Sequence, residues 1–199
     1  MKIVLTGGPS ASKTTVATSL IKHFHTQLAL VPEAATILYR GGFPRITDGL
    51  ASLCKQRAIF KVQKELENLI EIEHPSKSYV CDRGTLDGLA YWPAGSELFF
   101  SQNGSNLSDE LARYDVVIHL EVARVSDYNS DHSDVRVENY EQAIKIDNKI
   151  KEVWQQHPRR YIIKSNHDRD FADRIKTVHK LVSDLIFSES LDKFHGAIL

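Results

Sequence analysis

The stretch that decides the fold lies at residues 2–24 and reads KIVLTGGPSASKTTVATSLIKHF. Its first residues, Lys2 to Thr6, form an apolar run rich in β-branched side chains, which predicts a buried strand. Glycine and proline then interrupt the chain at Gly7-Gly8-Pro9. From Lys13 onward, apolar residues recur at helical spacing, at Val16, Leu20, Ile21 and Phe24. The stretch therefore predicts a strand, a glycine-containing turn and a helix.

The turn itself, GGPSASKTT at residues 7–15, nearly matches the phosphate-binding pattern G-x-x-x-x-G-K-[ST]. Such a turn supplies inward backbone N–H groups and the positive end of a helix dipole to an anion. We expect Lys13 to reach the β- and γ-phosphates and the Thr14 hydroxyl to bind Mg²⁺. The alternative is an ordinary strand-to-helix turn with a chance Lys-Thr pair. The residues expected to bind the nucleotide here are Gly8, Pro9, Ser10, Ala11, Ser12, Lys13, Thr14 and Thr15.

Ser12 occupies the position of the second glycine in this pattern. If the backbone φ at this position is positive, serine costs about 1 kcal/mol relative to glycine. If φ is negative, the cost is small. Serine keeps the backbone N–H that a phosphate needs, so we expect the loop to form with a weakened nucleotide affinity.

Composition narrows the class of protein. The 199 residues fit one domain, residues 1–199, with a polar insertion around 124–138. A net charge of −1 does not favour nucleic acid or an anionic membrane as the main partner. The two cysteines form no C-x-x-C motif, which favours a reduced cytoplasmic protein. We expect no secretory signal and no membrane span, because no apolar run approaches ~18 residues; a homodimer is left open.

Strands and helices alternate along the rest of the chain. The alternation predicts an α/β fold in which a parallel sheet carries helices on both faces. Residues 91–107 and 124–138 show no clear periodicity, which is typical of lids, binding loops or disorder. The predicted strands are Lys2–Thr6, Leu28–Pro32, Ser78–Cys81, Val116–Leu120 and Tyr161–Ile163, and the predicted helices after the first are Glu33–Tyr39, Leu50–Glu73, Tyr140–His157 and Asp170–Phe187.

Charged residues stand just past two of the predicted strands. Glu33 follows the second strand, and Asp82 and Arg83 follow the third. In an open α/β sheet the ligand site lies beyond the carboxyl ends of the strands, so we expect these side chains to converge with Lys13 on one crevice. Asp87, four residues further on, either binds a substrate hydroxyl or caps the helix that follows.

Several pieces of the chain carry a resemblance to known families. The sequence resembles the nucleoside and thymidylate kinase group and, more closely, a family of P-loop proteins with AAA-type ATP-binding domains, which is similar to the ribosylnicotinamide kinase domain of NadR. The resemblance covers most of the chain and implies a P-loop NTPase three-layer sandwich with a five-stranded parallel sheet of order 2-3-1-4-5. The matching pieces are GGPSASKTT, VPEAATILYRGG, QRAIFKVQKELE, CDRGTLDGLAY, YDVVIHLE and VRVENYEQAIKIDNKIKEVWQQHPR.

The resemblance implies catalytic roles for the residues past the strands. Glu33 would accept the proton of the attacking substrate hydroxyl, Asp82 would hold Mg²⁺ directly or through water, and Arg83 would grip the substrate or a phosphate. Each has a plainer alternative. Glu33 would favourably face a helix dipole, Asp82 would be an N-cap or turn residue, and Arg83 would form a surface ion pair.

The resemblance also implies a lid and an adenine loop. Arg136, and with it Arg124, would be brought over the γ-phosphate to neutralise charge during transfer; the alternative for both is a solvated arginine in a polar loop. Ser165-Asn166-His167 resembles the loop that packs on adenine, with a plain turn as the alternative.

Residues for substrate recognition are predicted on the long helix and near the glycine pair at Gly41-Gly42. By analogy, a glutamine from the long helix, Gln63, can read a nucleobase edge beside Arg57, whereas periodicity places Phe60 in the core. Four further residues could face the acceptor pocket, namely Tyr39, Arg40, Arg45 and Trp92.

Two functions follow. The first is a kinase that uses ATP or GTP with Mg²⁺ and phosphorylates a small nucleoside-like acceptor. The second is a nucleotide-binding regulatory NTPase that has no acceptor substrate. Glu33 with Asp82 and Arg83 favours transfer, because a switch needs no base on the acceptor side, whereas Ser12 mildly favours the regulator. A degenerate P-loop protein without turnover is a third alternative.

Overall fold

The computed structural model describes residues 1–45, 49–122, 139–165 and 171–196, with the side chains of the last helix described as far as residue 189. Five strands lie in these ranges: β1 (Lys2–Thr6), β2 (Leu28–Val31), β3 (Ser78–Asp82), β4 (Val116–Leu120) and β5 (Arg160–Ile163). The helices there are α1 (Lys13–His23), α2 (Ala34–Arg40), α3 (Gly49–Glu73), α4 (Asp87–Ala90), α5 (Ser96–Asn103), α6 (Leu107–Ala112), α7 (Tyr140–Val153) and α8 (Phe171–Gly196).

The strands form one parallel sheet of order β2-β3-β1-β4-β5. In its register Leu5 of β1 lies beside Asp82 of β3 and Ile118 of β4. The predicted fold class and strand order are confirmed. Because β1 is central, the loop that leaves its carboxyl end begins between the ends of β3 and β4, where such sheets bind ligands.

Alternation along β1 explains the layers on both sides of this sheet. Ile3 and Leu5 join an apolar cluster with α1 and α8, whereas Val4 joins a second cluster with Ile150 and Trp154 of the α7 region. Successive side chains of a strand point to opposite faces, so each face of the sheet needs its own helical cover. The result is the three-layer arrangement, with β1 buried in its middle.

Most element boundaries agree with the prediction to within a residue or two. β2 ends at Val31, before Pro32, which has no N–H to offer a neighbouring strand. The helix predicted to reach His157 ends at Val153, and the helix predicted to end at Phe187 continues to Gly196.

The prediction of an irregular segment at 91–107 was wrong, since this segment contains α5 and the start of α6. Phe99 anchors α5 by packing against Phe60 and Trp92, with ring centroids 5.6 and 5.3 Å apart. Gly104 ends α5 in the left-handed conformation, at φ 63°. Two helices this short carry too few apolar positions to show a period, so tertiary packing decides them.

Within the described ranges, no helix combines the length and apolar character that crossing a membrane would require.

Candidate functional site

The loop between β1 and α1 has a backbone that its sequence only partly suits. Gly7 has φ 134°, and a Cβ there would lie 2.0 Å from the Leu120 carbonyl oxygen, so only glycine fits. Ser10 and Ser12 also have positive φ, at 59° and 62°. The sequence left open whether φ at Ser12 is positive. It is positive, so Ser12 bears the steric cost of a side chain in the left-handed region. Its hydroxyl makes no capping bond to α1 among the described residues.

Lys13 turns back over this loop. Its ammonium group donates hydrogen bonds to the carbonyl oxygens of Gly7, at 3.0 Å, and Gly8, at 2.7 Å. Burial, together with the nearby Arg83 charge, lowers the pKa of Lys13 to about 7, against the opposing pull of neighbouring carboxylates. The loop thus holds a buried ammonium group beside the positive end of α1, which is a suitable place for an anion.

Thr14 and Asp82, the two residues predicted to hold a metal, are in contact. The Thr14 hydroxyl donates to Asp82 Oδ2 at 2.6 Å. Asp82 is 3% exposed, and its Oδ1 has no hydrogen-bond partner among the described residues. Burial and the nearby Glu33 charge raise the pKa of Asp82. A hard cation such as Mg²⁺ prefers oxygen ligands, so a buried orphan oxygen beside a hydroxyl fits that ion.

Arg83 connects three parts of the site. It has φ 79°, and its Nε donates to Glu33 Oε1 at 2.7 Å. Its Nη1 donates to Asp87 Oδ2 at 3.0 Å and to the Gly7 carbonyl oxygen at 3.2 Å. The Arg83 side chain is only 15% exposed, so this is no surface ion pair. Arg83 therefore draws the ends of β2 and β3 onto the loop after β1.

Glu33 is the carboxylate beside this arginine. It precedes α2 and also accepts a hydrogen bond from the Thr36 hydroxyl. Burial opposes its ionisation, but the Arg83 charge, the Thr36 bond and Lys13 together hold the pKa of Glu33 below its usual value. Glu33 is therefore an ionised acceptor of hydrogen bonds at neutral pH.

Asp87 is occupied by protein donors. Its Oδ1 accepts from the Thr6 hydroxyl at 2.6 Å and from Trp154 Nε1 at 2.8 Å, and its Oδ2 accepts from Arg83. It begins α4 and is almost fully buried. In this arrangement Asp87 fixes Arg83 to the sheet and to the end of α7.

The residues considered for substrate recognition separate into two groups. Gln63 is buried and donates to Glu67 Oε1 at 3.1 Å, and Glu67 also accepts from Arg113 and Tyr114. Phe60 lies in the core, as its periodicity predicts. Arg57 donates to Gln102 at 2.9 Å, on the α5 side of α3.

The other candidates surround the end of α2 and the start of α5. The Arg45 guanidinium lies 4.9 Å from the centre of the Tyr39 ring, and Arg40 is exposed. Trp92 is buried against Phe99, with its indole N–H lacking a partner among the described residues.

Three predicted residues, Arg124, Arg136 and Asn166, lie outside the described residues, as does most of the insertion around 124–138. Their roles remain predictions.

Sequence reasoning missed the residues beneath the loop. Asp147 Oδ1 accepts the Gly8 N–H at 2.7 Å and lies 2.9 Å from His119 Nε2, while Lys151 joins Asp147 to Glu121. One signal was available, because Asp147 stands in the buried stripe of α7 between Ala143 and Ile150. A carboxylate in an apolar stripe needs a buried partner, but the sequence does not say which.

Comparison with profiles of known protein families identifies the family of this chain. The profile of the AAA domain family matches residues 2–174, most of the chain. The chain belongs to this AAA domain family. Its P-loop, which the structure places after the central strand, lies within the matched region. A search of curated protein sequences gave no significant match.

Solved structures similar to this AAA domain show the same fold at low identity. Deoxyadenosine kinase from M. mycoides with bound dATP has 13% identity and a TM-score of 0.59, over 92% of this chain and 99% of that one. Thymidylate kinase from Candida albicans has 13% identity and a TM-score of 0.64, over 95% of this chain and 92% of that one. The sheet and its flanking helices are therefore those of a P-loop kinase fold.

Proposed function

We propose that this AAA domain is an ATP-dependent kinase that transfers the γ-phosphate to a hydroxyl group of a small, nucleoside-like molecule. The observation that carries the proposal is the ionised Glu33 carboxylate, which Arg83 holds 2.7 Å from its Nε while the same guanidinium contacts Gly7 of the P-loop. A base beside a phosphate loop suits transfer to an acceptor, and phosphoryl transfer depends mainly on such positioning.

The P-loop would receive the triphosphate. Backbone N–H groups at the start of α1 have no intrahelical acceptors and can face its oxygens. Lys13 exchanges the Gly7 and Gly8 carbonyl oxygens for phosphate oxygens, which restores full charge to its ammonium group. The positive charge of Lys13 then lies against the β- and γ-phosphates.

Thr14 and Asp82 would hold the magnesium ion, which when bound neutralises charge on the phosphate oxygens. In the structure Thr14 already orients Asp82 through its hydroxyl, while the buried Asp82 Oδ1 finds no hydrogen-bond partner in the described part of the chain. Burial and the Glu33 charge raise the pKa of Asp82 in spite of the nearby Lys13 and Arg83, so a divalent cation bound there would favour its charged form.

Glu33 would act on the acceptor. The acceptor hydroxyl oxygen forms a bond to the γ-phosphorus, the bond from that phosphorus to the bridging oxygen breaks, ADP leaves, and Glu33 takes the hydroxyl proton. Arg83 keeps Glu33 in place. Arg136, with Arg124, is our candidate for neutralising charge on the transferred group, and Asn166 for the adenine side.

The nucleoside-like acceptor is supported by similarity. Two proteins that share this fold are named deoxyadenosine kinase and thymidylate kinase. Neither name determines the acceptor of this chain, since at 13% identity the likeness concerns the fold.

A regulatory NTPase is the second candidate, and two observations favour it. Ser12 holds a strained φ of 62°, and Lys13 is engaged by the carbonyl groups of its own loop. The Lys13 bonds must break before its ammonium group can contact a phosphate, and the strain at Ser12 makes the loop less stable. Both features count against efficient turnover and so favour a regulator over a kinase.

The two candidates separate in one assay with labelled ATP and Mg²⁺. The protein is incubated with and without a panel of nucleosides that includes ribosylnicotinamide, and label transfer and phosphate release are measured. We expect acceptor-dependent transfer that falls about 100-fold or more in Glu33→Gln. Glu73→Gln, at an exposed site on α3, is the matched control and should keep the parent rate.

Two other outcomes would favour the second candidate. Phosphate release at the same rate with and without every acceptor, or nucleotide binding without turnover, would support a regulatory NTPase. Transfer that is unchanged in Glu33→Gln would remove Glu33 from the mechanism.

A further inference from the structure

Asp147 of α7 lies directly against the P-loop backbone. Its Oδ1 accepts the Gly8 N–H at 2.7 Å, and Asp147 is 2% exposed. A Cβ on Gly8 would come within 2.6 Å of Val122 Cγ2, 2.9 Å of the Ala143 carbonyl oxygen and 2.9 Å of Asp147 Cβ. The absence of a side chain at Gly8 therefore allows α7 to touch the main chain of the loop.

Asp147 is itself held from two sides. His119 of β4, fully buried, places Nε2 2.9 Å from the same Oδ1, and Lys151 Nζ lies 3.2 Å from Oδ2. A carboxylate only accepts hydrogen bonds, so His119 carries its proton on Nε2. Burial raises the pKa of Asp147, but His119, the Gly8 N–H and Lys151 outweigh it and hold that pKa below its usual value.

The arrangement offsets a conflict of charge. A bare carboxylate beneath a polyphosphate would repel it, particularly in a buried site. Lys151, which also contacts Glu121 at 2.9 Å, places a positive charge beside Asp147. The Gly8 N–H thus gains a strong, charge-assisted acceptor while much of the negative charge is compensated.

We propose that Asp147 is a positioning residue for nucleotide binding, which fixes the entry of the P-loop by accepting the Gly8 N–H. The proposal rests on the nucleotide-binding role proposed above for the same loop. With Gly8 held, the N–H groups that follow at the start of α1 keep one orientation toward the phosphates. Without it, part of the binding free energy goes into ordering the loop.

The test is calorimetric titration with MgATP, which needs no acceptor and no turnover. Asp147→Ala removes the acceptor and should weaken nucleotide binding about tenfold. Asp147→Asn keeps an oxygen that can accept from both Gly8 and His119 but turns its NH2 group toward Lys151, so it should bind more tightly than Asp147→Ala although less tightly than the parent. Rescue by asparagine separates the hydrogen bond from the charge.

Ile150→Ala is the matched control for loss of stability. Ile150 is fully buried on the same helix and packs in an apolar cluster on the sheet whose buried members include no residue of the P-loop. We expect it to lower the thermal midpoint at least as much as Asp147→Ala while leaving the dissociation constant for MgATP unchanged.

A second measurement uses the parent alone, so the proposal remains testable if Asp147→Ala does not fold. The Gly8 amide proton, without nucleotide, should exchange slowly with solvent because Asp147 accepts it. Exchange at the rate of a free loop amide would overturn the proposal, as would parent-like binding by Asp147→Ala or equal weakening by Ile150→Ala. If the parent itself binds no MgATP, the proposed function fails, whatever the Gly8 amide shows.

Discussion

Ser12 carries a side chain in a backbone conformation that glycine adopts more easily. Its φ of 62° and ψ of 24° are left-handed, and the serine hydroxyl makes no capping bond in the described structure. Ser12→Gly should therefore raise the free energy of unfolding by about 1 kcal/mol, measured by chemical denaturation. Ser12→Ala keeps the Cβ and the strain, so it should match the parent; equal stability of the Gly and Ala variants would contradict this explanation.

Lys13 should make the free energy of unfolding depend on pH. Its pKa of about 7 in the folded protein lies below the usual 10.5 of a lysine, so between these two pH values the unfolded chain holds a proton that the folded chain has lost. Raising the pH through this window therefore favours the folded state. The unfolding free energy of the parent, minus that of Lys13→Met, should rise by about 1 kcal/mol per pH unit from 7.5 to 9.5.

Lys22→Met, an exposed site at the other end of α1, supplies the baseline for that comparison. A difference between the parent and Lys13→Met that stays flat across the window would show that Lys13 keeps its proton in the folded protein.

Contacts between single residues could be predicted from the sequence where both residues lie near the carboxyl ends of strands. The contact of Thr14 with Asp82 and that of Glu33 with Arg83 could be anticipated, because strand ends in a parallel sheet converge at one edge. The bond between Gly8 and Asp147 spans 139 positions and depends on how α7 packs, which no local pattern records.

At the scale of elements, the loop after β3 depends on a close approach to the end of α7. A Cβ on Gly84 would lie 2.8 Å from Trp154 Cζ2 and 3.1 Å from Val4 Cγ2. Gly84→Ala should therefore displace Trp154, weaken its bond to Asp87 and lower the free energy of unfolding by about 1–3 kcal/mol, measured by chemical denaturation.

Gly88→Ala tests the same change where there is room. A Cβ there would meet its nearest neighbour, Gln56 Oε1, at an ordinary 3.4 Å, and alanine suits the helix α4 better than glycine does. We expect this variant to be at least as stable as the parent. A Gly84→Ala protein of parent stability would show that the Trp154 contact can relax freely.

Elements were predictable where their pattern was long or buried on both sides. β1 and β4 are mostly apolar, buried strands of a parallel sheet, and both were placed at their observed bounds. The short helix α5 was not predicted. Phe99 can be recognised as a core residue only from its packing against Phe60 and Trp92, which lie on other parts of the chain. Periodicity needs several turns to become visible, and α5 has eight residues.

At the scale of the molecule, the strand order determines which side chains lie beside the P-loop. Placing β1 between β3 and β4 brings the P-loop beside Asp82 and Arg83 on one side and beside His119 and Glu121 on the other. The strand order of the resembled families is confirmed here, since alternating strands and helices alone would allow several orders. The acceptor could not be foreseen, because it depends on side chains that the motif does not fix.

The P-loop is the proposed site for a magnesium-bound nucleoside triphosphate, and the other proposed roles depend on it. Its most direct test is calorimetric titration of the parent and of Lys13→Ala with MgATP, with circular dichroism to show that both are folded. We predict saturable heat in the parent and binding at least tenfold weaker in Lys13→Ala, because the buried ammonium group is lost. No heat in the parent, or the same dissociation constant in both proteins, would contradict the account.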